Sequence, residues 1–155
     1  AKEIFLKTFD AINKNFDEMI QTLFGGGSGE LWLMPGADIL ETGVEISVKR
    51  PGKKHQKLYL LSGGEKSLVG IALVFSMLRI NPSPFYILDE VDAALDDYNA
   101  ERLKNLIEKN KDMAQFIVIT HNKLMMEGAD ILYGITQSMG ISMAMAVELE
   151  KYAVS

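Results

Sequence analysis

The sequence predicts an α/β fold: a mostly parallel sheet flanked by helices, entered through a coiled-coil-derived helix and a small β-hairpin region. Three observations carry this. Apolar residues recur at helical spacing from Phe5 to Leu23, two unbroken apolar runs, "FYIL" at 85–88 and "FIVI" at 116–119, are separated by a helical pattern, and Gly and Pro turns punctuate the segment between.

Composition sets the outer bounds. A chain of 155 residues with 48% hydrophobic content is one domain long enough to bury about two thirds of its unfolded surface. No apolar run approaches the roughly 18 residues of a transmembrane helix, and "AKEIFLKTFD" lacks a signal peptide's apolar block, so no membrane partner and an intracellular, cytoplasmic location are expected. No cysteine means no disulfide and no thiolate metal site, and only two histidines are present. A net charge of −5 argues against nucleic-acid binding over the whole surface but allows a local basic patch.

The first element is a helix whose apolar positions Phe5, Phe9, Ile12, Phe16, Met19 and Leu23 alternate spacings of four and three, a heptad seam. Two readings fit, a single amphipathic helix packed on its own domain or the end of a longer coiled coil. The uncapped start is expected if the chain continues upstream. "GGGSG" at 25–29 stops the helix. Strand patterns at Glu30 to Leu33 and Val44 to Lys49, with turns at Pro35-Gly36 and Pro51-Gly52, predict a hairpin or meander. Around the second turn stand Lys49, Arg50, Lys53, Lys54, His55 and Lys57, either a solvated tip or a contact for a phosphate backbone.

From residue 58 the pattern alternates helix and strand. A helix from about Gly63 to Arg79 is apolar on much of its circumference, through Leu68, Ile71, Ala72, Val74, Phe75 and Leu78, and Asn81-Pro82 and Pro84 end it. "FYIL" and "FIVI" lack alternation, as expected of parallel strands covered on both faces. Between them Asp96 and Asp97 offer N-cap chemistry to a helix carrying Leu103, Leu106 and Ile107. "ILYGIT" and "SMAMAVELE" predict two last strands joined at Gly140.

Three groups carry possible chemistry. Asp89 and Glu90 follow the "FYIL" strand, and ligands of open α/β sheets bind outside the carboxyl ends of strands. A strand ending in aspartate has the Walker B form, whose carboxylate helps hold magnesium on a nucleotide's phosphates, and a following glutamate can take a proton from water. The alternative is a surface turn. Thr120-His121 closes the second apolar strand, where the histidine either orients a phosphate or water or is a capped structural residue. Ser62, Gly63 and Gly64 stand at the start of the long helix, where free N–H groups favour an anion. They also read as an ordinary capping box, Ser62 with Glu65. A phosphate-binding loop of the Gly-Lys-Ser/Thr kind is not present at this point. Glu65-Lys66-Ser67 has Glu65 and Leu60 where that loop needs glycines.

Taken in order, "LSGGEKS", "FYILDEVDAALDD" and "FIVITHNK" resemble the second half of an ABC-type ATPase head: signature motif, Walker B with its glutamate, D-loop and switch histidine. Within that superfamily the heptad helix leading into "NFDEMIQTLFGGGSGELWL", the "PGKK" turn and "GADILYGITQSMGISMAMAVELE" look like the C-terminal head segment of an SMC (structural maintenance of chromosomes) protein of prokaryotic type. The resemblance covers nearly the whole chain. It implies that residues 1–24 are the end of a coiled-coil helix and 25–155 the C-terminal half of the head. Walker A, the Q-loop and an arginine-bearing loop would belong to a separate N-terminal head segment. By the same resemblance the cofactors are ATP and Mg2+. Asp89 takes the metal, Glu90 acts as general base and His121 is the switch residue. Ser62, Gly63, Gly64, Glu65, Lys66 and Asp96 meet ATP across a dimer of heads. Implied partners are that N-terminal segment, a second SMC head in a homodimer, a kleisin subunit and DNA on the nucleoid, with Lys49, Arg50, Lys53, Lys54 and Lys57 as possible DNA contacts. This chain alone is expected to be inactive. Rival readings are the head of a double-strand-break repair ATPase, against which "DEVDAALDD" and the GGG element weigh, a transporter nucleotide-binding subunit, and a non-catalytic interaction module.

Overall fold

A computed structural model of the chain describes residues 2–36 and 38–148, the side chains of 147 and 148 excepted. Helix α1 spans Lys2–Phe24. Strands β1 (Ser28–Leu33), β2 (Val44–Lys49) and β3 (His55–Lys57) form an antiparallel meander. A single turn of 3-10 helix, Leu58–Leu60, leads to α2 (Gly63–Leu78). Then come β4 (Phe85–Asp89), α3 (Asp97–Asn110), β5 (Gln115–Ile119), α4 (Lys123–Glu127), β6 (Ile131–Ser138) and β7 (Ile141–Glu148). Leu149 and Glu150, the end of the expected last strand, and the rest of the expected 25–155 unit lie outside the described residues.

The heptad seam of α1 divides in two. Phe16, Met19 and Leu23 are fully buried with Ile20, whereas Phe5, Phe9 and Ile12 nearer the start are only partly buried. The carboxyl half of the helix therefore packs on its own domain. It packs so closely that a Cβ on Gly29 would sit 2.5 Å from Ile20 Cγ1 and 2.8 Å from Phe16 Cε1. Asn13 on the same helix acts as a neighbouring strand would. Its Nδ2 donates to the Leu31 carbonyl at 2.9 Å and its Oδ1 accepts from the Leu31 N–H at 2.8 Å. Asp17 accepts from the Gly29 N–H at 2.9 Å. These contacts occupy the outer edge of β1, which would otherwise be open to pairing with another chain.

The core joins Phe16, Ile20 and Leu23 of α1 to Leu31 and Val48 of the meander, Leu68, Val69 and Phe75 of α2, and Leu103 and Leu106 of α3. Truncating a side chain such as Phe16 to alanine there costs about 3–5 kcal/mol. β4 and β5 pair in parallel, Phe85 with Gln115 through Asp89 with Ile119. The α/β class stands, with the parallel component confined, among the described residues, to this pair. β6 and β7 form an antiparallel hairpin around Met139-Gly140.

The expectation that "FYIL" and "FIVI" are covered on both faces needs correction. Leu88, Phe116 and Val118 point into the core, and Phe116 stacks on Phe75 with centroids 5.8 Å apart. The opposite face exposes Phe85, Ile87, Ile117 and Ile119. The hairpin likewise exposes Tyr133, Ile135, Ile141 and Met143. Residues this apolar on a two-stranded pair are suited to cover by another layer. No described helix is long and apolar enough to cross a membrane.

Candidate functional site

The parallel register sets Asp89 beside Ile119, so the chain leaves β4 and β5 side by side. Asp89 is exposed there. Glu90 follows with φ of 46°, a left-handed conformation that costs a non-glycine residue about 1–2 kcal/mol. The backbone is pinned regardless: the Glu90 N–H donates to the Ile119 carbonyl at 2.9 Å and its carbonyl accepts from the Ala93 N–H at 3.1 Å. Glu90 Oε1 lies 3.9 Å from His121 Nδ1, and both side chains are solvent-facing, 61% and 79% exposed. A strained acid held beside a histidine at the mouth of a sheet is where strain is typically tolerated for function.

Beneath this pair is a buried carboxylate. Asp92, 3% exposed, accepts from the Thr120 hydroxyl at 2.6 Å through Oδ2, while Oδ1 is buried without a partner. Thr120 Oγ1 in turn accepts from the Asn122 N–H at 2.9 Å. The loop after β4 is thus tied to the loop after β5 that carries His121. Asp92, Asp97, His121, Asn122 and Lys123 help line an open cleft of about 370 Å³. A larger groove of about 460 Å³ lies between α1 and β1. Its Asn13 and Asp17 are engaged with the β1 backbone, so we place the chemistry at the strand ends.

The Ser62 loop forms a second group. Its capping box is complete: Ser62 Oγ accepts from the Glu65 N–H at 3.3 Å and Glu65 Oε2 accepts from the Ser62 N–H at 2.9 Å. The Ser62 side chain is itself exposed at the loop surface. Gly64 is explained by packing, since a Cβ there would lie 3.2 Å from the Ala94 carbonyl oxygen. Gly63 is not, because a Cβ there would meet nothing within 4 Å. A bare backbone at the open start of a 16-residue helix suits an anion approaching from outside. Lys66 is exposed one turn on. No hydrogen bond or ion pair among the described residues joins Ser62 to Glu90 or His121, although Gly64 packs against the Ala94 carbonyl of the loop that follows Glu90. Asp96 caps α3, accepting from the Asn99 N–H at 2.9 Å.

Burial raises the pKa of Glu65, but hydrogen bonds from the Ser62 backbone and side chain and the nearby Arg50 charge outweigh it and hold the carboxyl below its usual range. Arg50 itself is turned inward, onto Glu65 and, at 2.6 Å, onto Gln56 Oε1. Lys57 pairs with Glu45 at 2.6 Å. Lys49, Lys53 and Lys54 are exposed around the turn. Of the five basic residues read as DNA contacts, two already serve partners within the chain.

Among the described residues no cluster of three acidic, histidine or cysteine side chains is suited to hold a metal on its own. Asp89 fits a narrower share, the single carboxylate of a magnesium site otherwise completed by phosphate oxygens and water. Asp92 and the inward Arg50 were not singled out from sequence for these roles. Asp92 stands within "DEVDAALDD", and its position between an apolar valine and two alanines was the available hint of burial.

Paired acid and histidine at parallel strand ends, with a helix start open to an anion, are the features in which the chain resembles an ABC-type ATPase head. Comparison with known proteins agrees, and the chain belongs to the family described as "RecF/RecN/SMC N terminal domain", whose model matches residues 6–143. The "Chromosome partition protein Smc" of Burkholderia pseudomallei (strain 1710b) is 49% identical over 154 residues, covering 99% of this chain and 13% of that protein. A solved structure described as "Structural biochemistry of ATP-driven dimerization and DNA stimulated activation of SMC ATPases" superposes with a TM-score of 0.88 at 39% identity, covering 97% of this chain and 92% of that one. An Smc head domain from Pyrococcus furiosus with an extended coiled coil, bound to the C-terminal domain of ScpA, gives 0.85 at 41% identity, covering 97% of this chain and 38% of that one. The chain spans 12% to 13% of the length of the curated relatives it matches.

Proposed function

We propose that this chain is the C-terminal half of an SMC ATPase head, completed by an N-terminal segment that carries Walker A, and that two such heads engage around ATP and separate on its hydrolysis to act on DNA. The observation that carries the reading is Glu90, held in a left-handed conformation 3.9 Å from His121 at the ends of two parallel strands. Two further facts support a half-head. The chain covers 48% of a solved chain described as the SMC head domain from Thermotoga maritima, and the outer face of β4 and β5 exposes Ile87 and Ile117 to be covered by another layer. In this reading residues 1–24 are the coiled-coil entry and 25–155 the head segment.

The residue roles in this reading are those that the motif resemblance implies. Asp89 would contribute its carboxylate to Mg2+ on the phosphates. Magnesium, when bound, would neutralise phosphate charge. Glu90 accepts the proton of the attacking water, and His121, beside it, orients that water or the terminal phosphate. Ser62, Gly63 and Gly64 present a hydroxyl and free N–H groups to a phosphate carried by the opposite head, with Glu65 and Lys66 supporting the loop and Asp96 at the dimer seam. Lys49, Lys53 and Lys54 offer DNA a basic turn. The terminal strands and lower face of the head would bind a kleisin subunit, and a related head is described as bound to the C-terminal domain of ScpA. The site of action is the nucleoid in the cytoplasm.

The test is ATP hydrolysis by the chain alone and after co-expression with the N-terminal head segment, in wild type and Glu90→Gln. Activity only in the assembled wild type supports the proposal. Equal turnover by wild type and Glu90→Gln removes Glu90 from the mechanism.

A further inference from the structure

Arg50 stands one residue beyond β2, in the exposed basic turn, yet its guanidinium is directed to the Ser62 loop. One terminal nitrogen donates to Glu65 Oε1 and the other donates to Gln56 Oε1 at 2.6 Å. Gln56 lies on β3, opposite Val48. The remaining oxygen of the same carboxylate, Glu65 Oε2, accepts from the Ser62 N–H at 2.9 Å. Glu65 is therefore gripped on both sides, by the meander and by the loop it caps. The reciprocal bond from the Glu65 N–H to Ser62 Oγ is longer, 3.3 Å, so the carboxylate is the firmer half of the capping box. Arg50 Nε is buried without a partner, a desolvation cost that the two outer bonds must offset. Such a fork spanning two acceptors is a task for arginine that lysine meets only in part.

We propose that Arg50 is a positioning residue for the Ser62 loop: through the Glu65 carboxylate it fixes the loop in the geometry that lets the Ser62 hydroxyl and the Gly63 and Gly64 N–H groups meet a phosphate. The proposal rests on the reading of Ser62 as a contact to the opposite head. It assigns the turn's one arginine to head engagement, distinct from the lysines around it.

The test uses the full-length protein and its dependence of ATP turnover on protein concentration, which reports head engagement, alongside ATP binding to unengaged heads and thermal melting. Arg50→Gln and Glu65→Gln each raise the concentration for half-maximal turnover about tenfold, the loss of one charge-assisted contact, and leave ATP binding unchanged. The double variant shifts the midpoint no further than the larger single, because both act through one carboxylate. Arg50→Lys, which keeps the charge, lies between wild type and Arg50→Gln. A midpoint unchanged in Arg50→Gln, or shifts that simply add in the double variant, overturns the proposal. Ser62→Arg separates the two levels. If it abolishes engagement while Arg50→Gln does nothing, only the positioning role falls. If Ser62→Arg itself engages normally, the underlying reading of Ser62 falls, and the proposal with it.

Discussion

The Thr120 hydroxyl donates to the buried Asp92 carboxylate at 2.6 Å, and this bond joins the loops that carry Glu90 and His121. With Oδ1 already unpartnered, Oδ2 depends on that donor. Thr120→Val, nearly isosteric, leaves the carboxylate buried with no hydroxyl to bind. It is expected to cost about 2–3 kcal/mol, measured by denaturant unfolding of the assembled head. Asp92→Asn, which removes the charge and keeps the shape, is expected to cost less.

The strain at Glu90 gives a second expectation. Glycine adopts φ near 46° freely, so Glu90→Gly relieves about 1 kcal/mol that Glu90→Gln retains, offset in part by glycine's greater entropy when unfolded. The glycine variant should melt no lower than the glutamine variant, while both lose ATP turnover. A markedly lower melting temperature for Glu90→Gly would mean that the side chain stabilises the turn.

Acid tests Glu65. Its folded pKa lies below the ordinary carboxylate value, with burial opposing and the Ser62 and Arg50 contacts prevailing. A depressed carboxylate adds stability that is present above its unfolded pKa, about 4.3, and is lost as pH falls from there through the lower folded value. Glu65→Gln should therefore flatten the acid limb of the unfolding profile below about pH 4.3. An unchanged limb would show that the carboxylate gains nothing from its partners.

The open sheet face yields a further expectation. Ile87 and Ile117 are 59% and 44% exposed, and substitutions at exposed positions change stability by only about 0.5 kcal/mol. Ile87→Asp and Ile117→Asp should leave the secondary structure of this chain intact, read by circular dichroism. Both should sharply reduce co-purification with the N-terminal head segment. Undiminished co-purification would place that segment elsewhere.

The sequence was informative where local chemistry decides structure. The break after α1 is an example: Gly25, Gly26 and Gly27 all take positive φ, and a Cβ on Gly27 would lie 2.0 Å from the Lys49 carbonyl oxygen. The capping box of Ser62 and Glu65 and the Asp96 cap follow equally from residue type and spacing. Long-range choices were not legible. An apolar run such as "FYIL" shows that both faces of a strand can be buried, but not that Phe85 and Ile87 lack cover within this chain. An arginine in a basic turn gives no sign that it folds back onto Glu65, because the partner lies fifteen residues away. Nor does propensity place Glu90 in a left-handed conformation, which the anchoring bond to Ile119 on the neighbouring strand imposes. The three-residue β3 and the five-residue α4 were too short for periodicity to reveal.

The most direct measurement is steady-state ATP hydrolysis by this chain assembled with the N-terminal head segment, comparing wild type with Glu90→Gln at equal protein concentration. Turnover is expected in the wild-type assembly, none from the chain alone, and a loss of about a hundredfold or more in Glu90→Gln, the scale of a general base. Equal rates in wild type and Glu90→Gln would contradict it.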